Sequence, residues 1–383
     1  MFDFRLLIKL IGRTFSIKKE SLRYPYPKRV IAVLLVFPFC TFLLIVNWIF
    51  LLLDELIFPH YRKVEIKKAC FIIGIPRSAT TYFLHLLSND KKNYTSFKLW
   101  EILYAPSILQ KYFYNGLNKS LRLLSISPAK LLSRFDKWVY GTFREIHEIG
   151  ILKPEEDEIL NIHIFKSVFL SYFFPGTDLL DDLYYFDENI PYNKRMKIFR
   201  FYYRCVQRHC FVFNQGGHKY FISKNSAFIP KLCTISEWFP QSKLIYLLRS
   251  PFNTIPSTIS LNMRMYSAFT KQPTTYQLVT KTCDILIKWY EMAEYALNTF
   301  YKHRSIKIPF KEFTKNLYPT MQHVYSFLDV EITKEIRFYL EKEHSYSQKY
   351  SSSHKYDPLI GIDQDEITKK LDFIIKSDIF KKI

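Results

Sequence analysis

The stretch ACFIIGIPRSATTYFLHLL, from Ala69 to Leu87, decides the fold. Its first six residues form a short apolar run that predicts a buried strand, and Thr80–Leu87 predicts a helix. The turn between them, Ile75–Ala79, follows a glycine. A strand, a loop and a helix in this order are typical of a parallel α/β sheet.

The chain after this unit supports the same fold class. Lys243–Leu248 is the clearest further strand, and Tyr220–Ser223 and Ser305–Ile308 are weaker candidates. Helices are predicted between them at Ala227–Phe239 and Thr275–Tyr301. The alternation indicates a doubly wound α/β fold, with a central parallel sheet flanked by helices. We expect one large domain over residues 60–383.

Composition excludes several classes of protein. The chain has 383 residues, of which 48% are hydrophobic, so global disorder is excluded. Its six cysteines form no CxxC pair, which disfavours a disulfide scaffold and a zinc ribbon. The formal charge of +20 favours anionic partners without choosing among them. No helix-turn-helix or RNP-like motif is present, so we expect no nucleic-acid partner.

An apolar segment precedes the domain. Residues 30–53 carry no charged side chain, and as a helix they would be about 36 Å long, enough to cross a bilayer. We expect a membrane anchor here, single-pass or membrane-associated. A buried core helix and a hairpin that turns at Pro38 are the alternatives. Residues 1–29 predict a basic amphipathic helix that either lies on an anionic leaflet or is simply solvated.

The loop after the first strand has the chemistry of an anion site. Backbone N–H groups at a helix start favour a negative charge, Ser78, Thr80 and Thr81 add hydroxyls, and Arg77 adds a planar donor. The loop has the length of a Walker A motif, but Thr80 stands where that motif has its lysine. An ordinary ATPase or kinase is therefore disfavoured. The alternative is a plain capped connection.

A complementary group follows the second clear strand. Lys243–Leu248 leads directly into Arg249, and Ser257 lies eight residues further on. Ligands of open α/β sheets bind at the carboxyl ends of the strands. A helix from about Asn253 would return Ser257 to that edge, where it and Arg249 could hold one phosphate.

The two motifs together resemble those of sulfotransferases that use 3′-phosphoadenosine 5′-phosphosulfate as donor. The chain is most similar to the broad, largely bacterial group related to tyrosylprotein sulfotransferases. The resemblance extends over roughly residues 69–375 and implies a P-loop-like sulfotransferase fold. It implies that one set of residues wraps the 5′-phosphosulfate and another holds the 3′-phosphate and closes over the nucleotide. The first set is Pro76, Arg77, Ser78, Ala79, Thr80 and Thr81; the second is Arg249, Ser257 and Tyr356.

The resemblance also implies catalytic roles. Glu101 is the first candidate for the general base and His147 the second, while Lys224 and Arg77 would stabilise charge on the leaving phosphate. The acidic run at residues 155–158 is interpreted as the charged first turn of a helix. Its alternative role is to position the acceptor. We expect no metal.

The expected function is transfer of a sulfuryl group to a hydroxyl or amine of an acceptor. A nucleotide kinase or ATPase and a catalytically degenerate nucleotide-binding membrane protein are the alternatives. The family prefers Gly where Ala79 stands; a positive φ there would weaken donor binding, whereas a helical φ would not. The aromatic-rich chain hints at a lipid or glycan acceptor. The domain would face the cytosol in a bacterium and the Golgi lumen in a eukaryote.

Overall fold

A central sheet of five parallel strands organises the computed structural model. The model describes residues 4–15, 27–125, 127, 150–174, 177–267, 276–348 and 364–375. The strands are β1 (Ala69–Ile73), β2 (Tyr94–Thr95), β3 (Tyr220–Lys224), β4 (Lys243–Leu248) and β5 (Ser305–Pro309). Their order across the sheet is β2-β3-β1-β4-β5. The predicted parallel α/β sheet is therefore confirmed.

Helices cover both faces of this sheet. In chain order they are α1 (Phe4–Thr14), α2 (Pro27–Ile31), α3 (Phe37–Ile57), α4 (Thr80–Ser88), α5 (Leu99–Leu103), α6 (Ile108–Leu123), α7 (Leu170–Phe173), α8 (Asp181–Tyr184), α9 (Phe186–Asn189), α10 (Tyr192–Phe213), α11 (Leu232–Trp238), α12 (Pro251–Tyr266), α13 (Tyr276–Thr299), α14 (Phe310–Lys315), α15 (Leu317–Leu328), α16 (Lys334–Ser347), α17 (Gln364–Lys370) and α18 (Asp372–Ile375). A π-helical turn, Ala32–Val36, joins α2 to α3, and 3-10 helices lie at Pro59–Lys63, Asp157–Ile164 and Ser226–Lys231.

The core has two layers because side chains of a strand alternate between the faces of a sheet. In β1, Cys70 and Ile72 belong to one cluster, and Phe71 and Ile73 belong to the other. The first cluster packs against α4 and α14–α16, and the second, larger one packs against the layer that includes α10, α11 and α13. Every residue of β1 is buried. A strand buried on both faces reads as a continuous apolar run, which is why β1 was visible in the sequence.

The predicted N-terminal segment forms a helix with two different sides. Val33–Ile57 is long and apolar enough to span a membrane by length and composition. One side of it, including Phe37, Leu44 and Trp48, packs against the larger core cluster, while Leu35 and Leu56 are exposed. The hairpin alternative is wrong because the helix continues through Pro38. The buried-helix alternative is wrong because most of the helix is not buried.

The predicted amphipathic helix is also present, as α1. Its apolar residues Leu6, Leu7 and Leu10 are buried in the larger core cluster, so this face contacts the protein and not a leaflet. Ile8 and Lys9 lie on the exposed side. The N-terminal helices α1 and α3 thus pack against the core formed by residues after position 60.

Candidate active site

The loop from Gly74 to Thr81 leaves β1 at the carboxyl edge of the sheet and enters α4. A side chain at Gly74 would place its Cβ 2.8 Å from the Leu247 carbonyl oxygen of the neighbouring strand, so only glycine fits. Arg77 and Ala79 have φ values of 74° and 62°. The position of Ala79 therefore does require a positive φ, which explains the preference for Gly there and costs Ala about 1–2 kcal/mol.

Two of the three hydroxyl-bearing residues of this loop, Ser78 and Thr80, are buried. Ser78 is 1% exposed, and its Oγ has no hydrogen-bond partner in the part of the chain that the structure describes. Thr80, the first residue of α4, is also buried. A buried hydroxyl without a partner, at the start of a helix, is a donor available to an anion. The loop therefore fits a phosphate or sulfate group.

The second motif meets the first at the edge between β1 and β4. The Arg77 Nε donates to Ser257 Oγ at 3.2 Å, and an Arg249 NH group donates to the Arg77 carbonyl oxygen at 2.5 Å. The Thr258 hydroxyl donates to the Pro76 carbonyl oxygen at 3.2 Å. Motifs about 170 residues apart in the chain thus form one structure, because β1 and β4 pair in parallel.

Arg249 is held from two further sides. Its guanidinium lies over the Phe310 ring, 4.4 Å from the centroid. The Tyr290 hydroxyl donates to the Arg249 carbonyl oxygen at 2.7 Å and also bonds Thr254. These contacts fix where the arginine leaves β4, so its charge is positioned before any ligand arrives.

Lys224 lies on the other side of β1, at the end of β3. Its side chain is 1% exposed, and its Nζ donates to Glu156 Oε1 at 2.6 Å. The Glu156 side chain is 17% exposed. The predicted lysine is therefore at the sheet edge in contact with a partly exposed carboxylate, and it is not a surface lysine.

The rest of the acidic run is buried, and Asp157 and Glu158 lie in the first turn of a helix, as predicted. Asp157 accepts from Tyr202 and Ser223 at 2.7 Å each and from Asn225; burial raises the pKa of this carboxyl to about 6. Glu158 accepts from Lys231 at 2.5 Å. Residues 157–158 do begin a helix, but their carboxylates hold the segment after β3 in place.

Glu101 occupies a closed environment inside the domain. It is 1% exposed, its Oε1 accepts from the Lys98 backbone N–H at 3.3 Å, and its Oε2 accepts from His209 Nδ1 at 2.7 Å. Burial alone would raise the pKa of the Glu101 carboxyl, but the charge and hydrogen bond of His209 outweigh it and lower that pKa. His147 and Tyr356 lie outside the described residues.

Sequence reasoning missed two partners at this site. Glu156 was grouped with its acidic neighbours, although its partner is Lys224, 68 positions away. No role was predicted for His209 from the sequence, but it binds Glu101. No local sequence signal marks either pair, because each joins residues that are distant in the chain. Among the described residues, no group of three or more His, Cys, Asp or Glu side chains could hold a metal ion.

Comparisons with known proteins agree with this architecture. The model of the sulfotransferase family matches residues 70–334, more than half of the chain. A search of curated proteins gave no significant match.

Two solved structures share the fold. Sulfotransferase STF9 from Mycobacterium avium superposes with a TM-score of 0.73 at 15% identity, covering 98% of this chain and 96% of that one. Sulfotransferase STF1 from Mycobacterium tuberculosis H37Rv gives a TM-score of 0.66 at 16% identity, covering 86% of this chain and 84% of that one. At these identities the likeness concerns the fold alone.

Proposed function

The chain belongs to the sulfotransferase family, and from that premise we propose that it moves a sulfuryl group from 3′-phosphoadenosine 5′-phosphosulfate to a hydroxyl or amine of an acceptor. The observation that carries the proposal is the junction of the loop with the second motif, where Arg77 meets Ser257 and Arg249 meets the loop backbone. Two positioned guanidinium groups beside a helix start suit a donor with several anionic groups.

In this proposal the donor lies along the carboxyl edge between β1 and β4. The loop backbone, with Ser78, Thr80 and Thr81, binds the 5′-phosphosulfate. Arg249 and Ser257 bind the 3′-phosphate, and Tyr356 closes over the nucleotide. The junction supports one continuous anion-binding surface. The loop has no Walker lysine, which supports this donor over ATP.

The reaction needs one bond exchange and one proton transfer. The acceptor oxygen attacks sulfur, the bond from sulfur to the phosphate oxygen breaks, and 3′-phosphoadenosine 5′-phosphate leaves. Arg77 and Lys224 stabilise the charge that develops on the leaving oxygen, because such a transfer depends mostly on positioning and electrostatics. The acceptor proton passes to a carboxylate general base.

We assign the base role to Glu156 in preference to Glu101. A general base must come within hydrogen-bond reach of the acceptor proton. Glu156 is partly exposed and contacts Lys224 at the sheet edge, which supports this role. The two oxygens of the buried Glu101 bind Lys98 and His209, which supports a role in holding α5. The sequence-based assignment to Glu101 stays a competing prediction.

The test of donor binding is a thermal-shift titration of the full chain with 3′-phosphoadenosine 5′-phosphate, with ATP and Mg²⁺ in parallel. A ligand that binds only the folded state raises the melting temperature as its concentration passes Kd. We expect a shift with the bisphosphate and little with ATP. A shift with ATP and Mg²⁺ alone would make the kinase alternative the better one. No shift with either would favour a degenerate protein.

The acceptor and the compartment are proposed in less detail than the donor. An acceptor of lipid or glycan type and association with a membrane through residues 30–53 remain predictions. The exposed apolar side of α3 supports the second of them. The geometry of α3 supports a more specific proposal about the membrane, which does not depend on the identity of the donor.

A further inference from the structure

The exposed side of α3 is a continuous apolar surface, here named the α3 stripe. Its residues recur every three or four positions and are between 52 and 79% exposed: Leu35 in the π-helical turn that leads into α3, then Phe39, Phe42, Ile45, Ile49, Leu52 and Leu56. From the first to the last, a helix spans about 32 Å. Helix α6 packs beside α3 and adds the exposed Phe113 and Leu117. An apolar surface of this length on a single chain marks an interaction site.

The opposite side of α3 is fixed to the domain along the helix. Near its start, the rings of Phe37 and Phe174 are 6.0 Å apart. In the middle, the Asn47 side chain donates to the Leu103 carbonyl at 2.8 Å, and the Trp48 indole donates to the His163 carbonyl at 2.9 Å. These contacts combine ring packing with buried hydrogen bonds, so the helix and the domain form one body here.

The end of α3 is fixed even more firmly. Asp54 is fully buried and accepts from the backbone N–H groups of Ile108 and Leu109, which begin α6. It also pairs with the buried Arg208 at 2.9 Å. Removing α3 from the domain would leave Arg208 without this carboxylate and would carry Asp54 into the hydrocarbon. Both changes are strongly unfavourable.

The exposed stripe and the docked side of α3 together exclude an arrangement in which α3 simply crosses the bilayer. If α3 stood perpendicular to the membrane, the flank of the domain that it contacts from Phe37 to Asp54 would enter the hydrocarbon with it. That flank includes polar groups such as Gln110 and Arg208, which contact Asn47 and Asp54. A helix that lies flat immerses only its exposed stripe.

The charges around the stripe indicate which surface it meets. Helices α1, α3 and α6 contain only two acidic residues, Asp54 and Glu55. Asp54 is buried, and Glu55 pairs with Arg208 at 2.6 Å and with Arg62. The exposed charged side chains of α1 and α6 are basic: Arg5, Lys9, Lys119 and Arg122. In these three helices, over the residues that the structure describes, the exposed charge is basic and both acidic side chains are paired, which complements an anionic lipid surface.

We propose that this protein is monotopic: α3 lies parallel to the surface of an anionic bilayer, with the α3 stripe in the acyl region. The domain stays on one side of the membrane. Because α3 contacts α5 through Leu103 and the 3-10 helix through His163, it joins the bilayer to α5, which carries Glu101, and to the helix that directly follows Glu156. This arrangement differs from the single-pass crossing that length and hydropathy alone suggest.

Depth measurements distinguish the two arrangements directly. The full chain, with its partly exposed cysteines replaced by serine, receives one cysteine at a time at positions 35, 42, 49 and 56, each carrying a nitroxide label. The labelled chains are bound to vesicles of equal parts phosphatidylcholine and phosphatidylglycerol. Collision of each label with oxygen and with a water-soluble nickel chelate gives its depth.

We expect the four labels to lie at the same shallow depth. A depth that is greatest at positions 42 and 49 and falls towards both ends would show a crossing helix and overturn the proposal. Labels that contact no lipid and couple magnetically to a second copy would show that the stripe is a dimer interface, which would also overturn it.

Vesicle flotation with matched variants tests the stripe itself. Because each large apolar side chain adds to membrane affinity, the double change Ile49→Ser and Leu52→Ser should reduce binding at least tenfold. The control is Phe338→Ser, which changes a residue 72% exposed on α16, against the other core layer. It should bind as the wild type does. Equal binding by both variants would contradict the proposal. Replacing phosphatidylglycerol by phosphatidylcholine should weaken binding of the unchanged chain, and no weakening would contradict the anionic part.

Discussion

The two sides of β1 carry cations in different ways. Towards β4, in the described part of the chain, Arg77 and Arg249 contact a hydroxyl, a carbonyl oxygen and an aromatic ring. Towards β3, Lys224 and Lys231 each contact a carboxylate, Glu156 and Glu158, at 2.6 and 2.5 Å. These contacts of the two arginines are to neutral groups, whereas each of the two lysines forms an ion pair within the chain.

Under the proposed function, this difference would let one sheet edge serve two substrates. The arginine side would bind the polyanionic donor, beside a loop in which Arg77 and Ala79 hold positive φ values. Acceptor activation requires a carboxylate in a defined position, and an ion pair with a buried lysine fixes that position. The predictions below test this difference between the two sides of β1 and measure its size.

The largest effect is expected from the carboxylate beside Lys224. Glu156→Gln removes the proposed base, so the transfer rate should fall by about 10²–10⁴ while donor-product affinity is kept. Single-turnover release of 3′-phosphoadenosine 5′-phosphate, with any acceptor that the wild-type chain uses, measures the rate. Glu101→Gln is the matched control, and we expect it to lower the transfer rate less than Glu156→Gln does. The reverse order would return the base role to Glu101.

The second effect concerns stability on the β3 side. Lys231→Met leaves Glu158 buried without its cation, which should lower the free energy of unfolding by about 3–5 kcal/mol. Urea unfolding followed by circular dichroism measures it. The double variant Lys231→Met with Glu158→Gln should recover part of the loss, because no charge is then left buried. If Lys231→Met unfolds like the wild type, the pair is not what stabilises this side.

The third effect concerns the β4 side, where we expect binding to change. Arg77→Ala and Arg249→Ala each remove a charge-assisted contact of about 1.5–3 kcal/mol, which is about tenfold or more in affinity for 3′-phosphoadenosine 5′-phosphate. Isothermal titration calorimetry measures this change. Arg200→Ala, at an exposed position of α10, is the control and should bind normally. Unchanged affinity in a folded Arg77 or Arg249 variant would contradict the donor site.

The smallest effect tests the strain in the loop. Ala79→Gly relieves the cost of φ 62° but gives the unfolded chain more freedom, so the free energy of unfolding should rise by at most about 1 kcal/mol. Donor-product binding should be retained. Ala293→Gly, in the interior of α13, should have the opposite sign. A loss of stability in Ala79→Gly would show that the backbone is not strained there.

The sequence predicted the elements whose signals are local. The apolar runs of β1 and β4 are buried on both faces and end at residues with distinct chemistry, Gly74 and Arg249, so both strands and the loop were predicted correctly. The two-residue strand β2 is too short to give any periodic signal. The conformation of Ala79 was not predictable, because alanine in isolation prefers a helical φ and the loop imposes another.

What the sequence could not predict depends on pairs that are distant in the chain. The acidic run has the pattern of a charged helix start, which is correct, but only the fold brings Lys224 and Lys231 to it. Hydropathy likewise describes α3 as uniformly apolar. Its two-sided character comes from Asn47 and Asp54, whose partners Gln110 and Arg208 lie far along the chain.

The pairing of Asp54 with Arg208 limits how early α3 can dock during biosynthesis. The two residues are 154 positions apart, so at 5–20 residues per second the ribosome needs roughly 8–30 s to deliver the arginine after the aspartate. During that interval an apolar helix has left the ribosome before its docking surface exists. A chaperone or the translocation machinery that binds the nascent chain during this interval meets a segment with the hydropathy of a membrane span. The domain must pack against this helix before the helix is inserted into a membrane.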